Sequence, residues 1–405
     1  MTEAVETEKL VELARELAPT FRERARDAER LRRMPDDLLP LIEPFLGAVV
    51  PKRWGGQGLG ARALCEVARE LAHGDGSMAW TTSFLMEHSW MACHLAFEAQ
   101  EELFSERPYI LASAPLTPAG RAEPVEGGYR VWGTFRYASC IGNSDLSFAS
   151  APIEEDGVRV PRTFLIPLSE VTVNDDWLMS GMAATSSASF TADGVFVPEK
   201  MSLPLAQFFS ADGHPGAAHE EAFMRYPVKT IAVMMAAIPL GVAEGAVELM
   251  RERMPKTVVM GTVPRIELPV SRVRWGKALQ KVRCARLLYD DVLDQTIANG
   301  DAIRTPSEAE AGQQELDLMT VARLSKEAVD LVCDGMGSST FKLSDPLQRA
   351  QRDANVMANH YFHDEDVVAE RGTRFVLGLG PSKNDPWFLM GPPKPAGDEQ
   401  AAKSV

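Results

Sequence analysis

The sequence predicts an α+β chain laid out as helix, then sheet, then helix. Three observations predict it. Apolar residues recur at spacings of three and four through the first hundred positions. Short alternating or β-branched runs, separated by Gly, Asn and Asp, fill 109–198, and long helical periodicity returns from 223. The 405 residues are 45% hydrophobic, enough for a sizeable core in about two to four structural units.

From Glu8 to Leu31, Leu10, Leu13, Leu17 and Phe21 lie on one stripe among alternating charges, the pattern of an amphipathic helix. A short helix follows Pro35. After the loop PKRWGGQGLG (51–60), helices are predicted over 61–73 and 77–97. Strand-like runs are YRVWGTFRYAS (129–139), RTFLIPL (162–168) and ASFTADGVFVP (188–198). Helical patterns then cover 223–254, 267–299, 313–335 and 346–371, and a Gly/Pro-rich tail closes the chain. The predicted divisions are 1–108 helical, 109–212 β, 213–377 helical and 378–405 irregular.

Composition excludes several classes. Lys and Arg number 42 against 57 Asp and Glu, a net charge of −15, which argues against affinity built on neutralising nucleic-acid phosphates. The acidic start MTEAVETEKL has no signal-peptide pattern, so the expectation is a cytoplasmic protein with no membrane partner. Thr230 to Ala243 is nearly apolar but interrupted by Pro239, and reads as a buried core helix. Cys65, Cys93, Cys140, Cys284 and Cys333 form no CxxC pair, so neither a disulfide framework nor a zinc knuckle is expected.

Local motifs exclude more than they assign. GGQGLG (55–60) misses the dinucleotide pattern at Ala61, GMGSST (335–340) misses it at Thr340, and HExxH and GxSxG do not occur. A di-iron bundle needs two ExxH pairs and only Glu70-Leu-Ala-His73 is present. His360-x-x-His363, followed by Asp364 to Asp366, puts two imidazoles near one helical face. A helix end with one functional His is preferred there to a metal site, and no metal is expected.

The order of the pieces resembles the acyl-CoA dehydrogenase family over residues 5 to 375. Pro51-Lys-Arg-Trp-Gly-Gly-Gln-Gly is similar to the loop before the family's third helix. Gly128 through Ser139 resembles the hairpin that runs beside the flavin, Gly181 through Pro198 its threonine/serine-rich turn, and Arg352-Asp353-Ala354 its last catalytic segment. The resemblance implies an N-terminal helical domain, a central β-barrel or sandwich and a C-terminal four-helix bundle.

The dehydrogenases' proton-abstracting Glu has its counterpart at Tyr361, and the alternative position falls near Ile231. Loss of a general base costs about 10²–10⁴-fold, so the chain instead resembles the family's two-component flavin monooxygenases. Gly74 through Trp80, and Ala119-Gly-Arg-Ala122 followed by Gly127-Gly128-Tyr129, are similar to segments of that branch.

That resemblance implies reduced FMN or FAD from a separate flavin reductase, O2, and a flavin 4a-hydroperoxide that hydroxylates a phenolic or fused aromatic substrate. N- or S-oxygenation, or a dehydrogenase with a displaced base, are the alternatives. A phenol with a pKa near 10 needs a base near 7; His360 is the candidate and His363 its competitor. Ser139 is expected to hydrogen-bond the flavin, with Tyr137 and Cys140 beside it. Arg265 and Arg349 are candidates for flavin phosphates or for structural ion pairs. Trp80, Phe84, His88, Tyr361 and His363 are expected to line the substrate pocket, although core packing would also explain the helical spacing of Trp80, Phe84, Trp90 and Met91. Trp387 and Phe388 are candidates for covering the mouth. The helix Val270 to Leu293, with Leu279, Val282, Leu287 and Leu288, suits a subunit interface, and a homotetramer is implied.

Overall fold

Helix α1 (Glu3–Leu31) buries Leu10, Ala14, Leu17 and Phe21 against the rest of the N-terminal helices. These are α2 (Leu39–Leu46), α3 (Ala61–Ala72), α4 (Gly76–Ala92) and α5 (Phe97–Leu103). The computed structural model describes residues 2–155, 158–227 and 230–382; the expectation for Trp387 and Phe388 lies outside them. Helix α4 starts at Asp75, whose carboxylate accepts the Met78 N–H at 2.9 Å. The sequence predicts α4 to run on to 97, but it stops at Ala92. There the Gln100 side chain takes up the Cys93 and Leu95 carbonyls, both at 2.7 Å, and lets α5 begin on a new axis.

The centre holds two four-stranded sheets. Strands β1 (Ala112–Ser113), β2 (Arg121–Val125), β3 (Gly128–Phe135), β4 (Leu146–Glu155), β5 (Val158–Pro167), β6 (Thr172–Val173), β7 (Phe190–Pro198) and β8 (Ser202–Pro204) pair in the orders β1-β4-β5-β8 and β2-β3-β7-β6. Among the described residues, only β1 and β4 run parallel within these sheets. In β3 and β7, Tyr129 lies opposite Val197 and Phe135 opposite Phe190. Tyr129 and Phe164 meet edge to face at 5.3 Å, which ties one sheet to the other.

Helices return as α6 (Ile231–Arg253), α7 (Pro269–Asp301), α8 (Glu308–Met336), α9 (Pro346–Ala358) and α10 (Glu365–Val376), with a small hairpin of β9 (Val258–Val259) and β10 (Val263–Pro264) between α6 and α7. Helix α6 starts eight residues later than the predicted 223, after a 3-10 turn over Ala222–Arg225 and Pro227, whose ring disfavours helix at the residue before it. By length and composition α6 could cross a membrane, yet it is largely buried inside the protein. Its close approach to α3 needs glycine, because a Cβ at Gly241 would stand 2.1 Å from the Arg69 carbonyl and one at Gly245 2.7 Å from that of His73. The same seam neutralises its charges. Arg69 binds Glu66, Glu70 and Glu244, and His73 meets Glu244 at 2.9 Å, so the Glu70–His73 pair of the sequence is spent on ion pairing.

The predicted helix 346–371 is two helices. It breaks over Asn359–Asp364, where Asp364 caps α10 by accepting the Val367 N–H at 3.1 Å. His360 and His363 therefore lie in a turn and not on a helical face, which is what lets the two rings point inward.

Candidate active site

Trp80, Phe84 and His88 stand four residues apart on α4 and so share one face, directed at the loop after β3 and at the turn between α9 and α10. Ring centroids are 5.0 Å apart for Trp80 and Phe84, and 5.4 Å for Phe84 and His88. Trp80 donates its indole N–H to Ser139 Oγ at 3.2 Å, and the His360 ring meets the indole edge-on at 5.5 Å. The structure thus brings together five predicted residues from three separate parts of the chain.

A chain of hydroxyls fixes what Ser139 can do. Thr185 donates to the Met182 carbonyl at 2.8 Å, so toward Ser187, also 2.8 Å away, it can only accept. Ser187 spends its proton there, and Ser139, at 2.9 Å, must donate to Ser187. Ser139 Oγ then accepts from Trp80 and keeps one lone pair. It is an acceptor in waiting, suited to a ring N–H such as the central-ring N–H of a reduced flavin. Ser187 and Thr185 are absent from the predicted site; their signal was the Thr/Ser-rich turn at 185–189, read only as a mark of fold.

The histidines differ in the face they offer. His360 Nδ1 accepts the Phe362 backbone N–H at 3.4 Å, which in the neutral ring puts the proton on Nε2. His363 donates Nδ1–H to the Met357 carbonyl at 3.0 Å, and its Nε2 has no hydrogen bond among the described residues. Burial, with His363 as the second cause, pushes His360 down to about 3, and burial pushes His363 down to about 4. Both rings are neutral near pH 7. His360 is thereby a weaker proton acceptor than the base near 7 that a phenol calls for, until a phenolate charge forms beside it.

His88 lies deeper. Its Nδ1 meets the Ala112 carbonyl at 2.6 Å and its Nε2 lies 3.2 Å from Glu87 Oε2. Burial holds His88 down to about 4 and the Glu87 carboxyl well above its usual range, so a neutral acid faces a neutral base. His88 supports the aromatic face from behind, and Glu87 went unpredicted because a single Glu in an apolar run carries no pattern.

Three of the predicted site residues make contacts within the chain. Cys140 spends both its donors within the chain: its N–H donates to the Thr185 carbonyl at 2.7 Å and its thiol to that of Ala112 at 3.3 Å. Arg349 is buried, pairs with Glu29 at 3.5 Å, and lines a cavity of about 30 Å³, room for one water, with Asp75 and Asp353. It neutralises buried carboxylates, which is the structural ion pair that its sequence position allowed. Tyr361 packs its ring 5.1 Å beneath the Arg371 guanidinium and edge-on to Phe362 at 5.7 Å. Phe362, absent from the predicted site, stacks on His360 at 5.8 Å.

Tyr137 sits at a left-handed φ of 65° and is 72% exposed, edge-on to Trp177 at 6.5 Å. The exposed Tyr137 ring, backed by the partly buried Trp177 and two residues from Ser139, is a surface a planar cofactor could cover. Arg265 is apart from this cluster: it donates to the Gly335 carbonyl, its Nε is buried without a hydrogen-bond partner, and a Cβ at Gly337 would come within 3.0 Å of it. The orphaned donor and the space kept by glycine suit an anionic oxygen. The residues present therefore fit a reduced flavin at Ser139 and a phosphate at Arg265.

Residues 5–104 match the family "Acyl-CoA dehydrogenase, N-terminal domain", and residues 233–365 match "Acyl-CoA dehydrogenase, C-terminal domain". The chain is 30% identical over 385 residues to the FADH(2)-dependent resorcinol hydroxylase oxygenase component of a Rhizobium species, covering 90% of this chain and 93% of that one. It is 28% identical over 382 residues to a pigment production hydroxylase of a Rhodococcus species, covering 92% and 97%. Among solved structures, XiaF from Streptomyces in complex with FADH2 and glycerol superposes with a TM-score of 0.86 at 25% identity, over 94% of this chain and 97% of that one.

Proposed function

The chain belongs to the acyl-CoA dehydrogenase family, in its branch of flavin-dependent oxygenase components, and we propose that it hydroxylates a phenolic or fused aromatic ring at the site formed by Trp80, Ser139 and His360. Reduced FMN or FAD, delivered by a partner flavin reductase, supplies the two electrons that with O2 provide the transferred oxygen atom. The observation that carries the reading is the lone pair left on Ser139 Oγ beside an aromatic slot topped by an imidazole.

Ser139 would hold the cofactor's ring N–H, and Trp80 fixes the hydroxyl and forms one wall of the slot. Phe84, His88 and Phe362 keep water out, which strengthens every hydrogen bond inside. His360 meets the substrate hydroxyl. Its Nε2–H donates to that oxygen, and as the ring gives up the weak 3.4 Å bond at Nδ1, the tautomer that can take the phenol proton at Nε2 comes within reach. A dehydrogenase reading lacks support, since Tyr361 points to α10, Ile231 is apolar, and Glu87 is held protonated behind His88.

Exposed Val270, Val273, Leu279 and Leu287 on α7 support a homotetramer in which this helix is covered, while Val282 is buried within the chain itself. All five cysteines are unpaired and four are buried, which supports action in the reducing cytoplasm. The test is incubation of the protein with a flavin reductase, NADH, flavin and resorcinol under ¹⁸O₂. A hydroxylated product carrying one ¹⁸O is expected; consumption of NADH with peroxide as the sole product would overturn the reading.

A further inference from the structure

The turn that orients Ser139 is held in a conformation its residues do not favour. Met182 and Ser186 both sit in the left-handed region, at φ 55° and 47°. Neither is glycine, so each persists there only where the surroundings enforce it. Met182 is also the hub of the turn. Its carbonyl accepts the Thr185 hydroxyl at 2.8 Å and the Trp177 indole N–H at 3.0 Å. The first bond starts the hydroxyl chain that leads through Ser187 to Ser139, and the second places the indole that backs Tyr137.

What enforces Met182 comes from a distant part of the chain. Asp353, buried on α9, accepts the Met182 N–H through Oδ1 at 2.5 Å. Beside it Arg352 donates to the Ser180 carbonyl. A Cβ at Gly181 would stand 2.3 Å from the Arg352 carbonyl, so turn and helix meet backbone to backbone. The carboxyl is costly where it stands: burial, and then the neighbouring Asp75, raise Asp353 above its ordinary range, a penalty that an apolar residue filling the same space would not carry. The acceptor itself is therefore what the position uses. Helix α9 ends just before the turn that carries His360, so one element sets both sides of the slot.

Resting on the reading of Ser139 as the flavin contact, we propose that Asp353 is a positioning residue of the oxygenase site: by pinning Met182 it fixes the Thr185, Ser187 and Ser139 hydroxyls and so presents the lone pair that receives the reduced flavin. It acts through the turn and touches neither cofactor nor substrate.

The indole N–H of Trp80, bonded to Ser139 Oγ, reports the position of that hydroxyl without any cofactor, and the Trp177 indole reports Met182 in the same way. In protein carrying ¹⁵N-tryptophan, Asp353→Ala is expected to move both indole N–H signals, identified by Trp80→Phe and Trp177→Phe. It should also weaken anaerobic binding of reduced FMN or FAD about three- to tenfold, the worth of one hydrogen bond. Asp353→Asn, which keeps an acceptor for the Met182 N–H, should restore most of both. Gly181→Ala tests the clamp from the other side: its Cβ pushes the turn off α9 with Asp353 in place, and the same two changes are expected with the buried carboxyl intact. A residue that only stabilises the fold would lower the unfolding temperature and leave the indole signals and the flavin affinity of the folded protein as in wild type; that outcome in either variant overturns the proposal. Indole shifts in both variants, with flavin affinity unchanged in them and in Ser139→Ala, would overturn the flavin contact at Ser139 and leave Asp353 as the residue that places its hydroxyl.

Discussion

The indole N–H of Trp80 and the hydroxyl of Ser139 lie 3.2 Å apart, joining a fully buried N-terminal helix to the loop that leaves the β3 strand. The bond spends one of the two lone pairs on Ser139 and leaves the other for a cofactor. Ser139→Ala is expected to strand the Trp80 donor and to weaken reduced-flavin affinity by roughly one hydrogen bond, about 0.5–1.5 kcal/mol, with more peroxide released per turnover. Ser139→Thr, which keeps the hydroxyl, should retain most of both. Flavin titration under anaerobic conditions and a peroxide assay read the two effects.

His360 combines a neutral ring with a weakly held Nδ1. His360→Ala should lower hydroxylation at neutral pH by about 10²-fold or more. Its rate should climb as pH approaches the substrate's own pKa of about 10, because the phenolate then forms without help. His360→Asn separates two roles. Retention of activity would show that donating a hydrogen bond suffices, whereas loss equal to that in His360→Ala would show that the ring must accept the proton.

His94 is buried against His214, ring centroids 4.4 Å apart, and burial, with His214 second, pushes it down to about 3. The unfolded chain binds a proton near 6.5 that the folded state refuses, so stability is full above that pH and falls as pH drops toward 3. Each such histidine contributes a slope of about 1.4 kcal/mol per pH unit in that window. His94→Gln should flatten the acid limb of a denaturation-versus-pH curve by nearly one proton while changing little at pH 8.

The α3–α6 seam has no room for a methyl group at Gly241. Gly241→Ala is expected to destabilise the fold by about 1–3 kcal/mol through overpacking, against the small gain in helix propensity. Thermal unfolding measures it, with exposed Gly276 on the same bundle, where a Cβ would meet nothing within 4 Å, as the control that should gain stability.

Much of this was legible in the chain. Helical and alternating periodicities depend on which face is buried, and α1, α3, α7, β5 and β7 fall within a few residues of the predicted spans. What escaped depends on contacts distant in sequence. The apolar pattern continues through Asn359–Asp364, so nothing local reveals that two helices meet there. Trp80, Ser139 and His360 were found as separate motifs, and their meeting confirms only their proximity. Sequence alone could not choose between phosphate and ion pair for Arg349, or show that the Cys140 thiol donates to Ala112, because Glu29 and Ala112 are distant in the chain. Phe362 was passed over because its stacking on His360 exists only once the turn forms.

The most direct measurement is rapid mixing of the protein, preloaded anaerobically with reduced flavin, against oxygenated buffer, with flavin absorbance followed in wild type and Ser139→Ala. The wild-type protein should return the flavin to its oxidised form through a separate slow phase that an aromatic substrate accelerates, and the variant should shorten that phase. Single-phase reoxidation, identical in both proteins and as fast as free flavin, would contradict the assignment of Trp80, Ser139 and His360 as an oxygenase site.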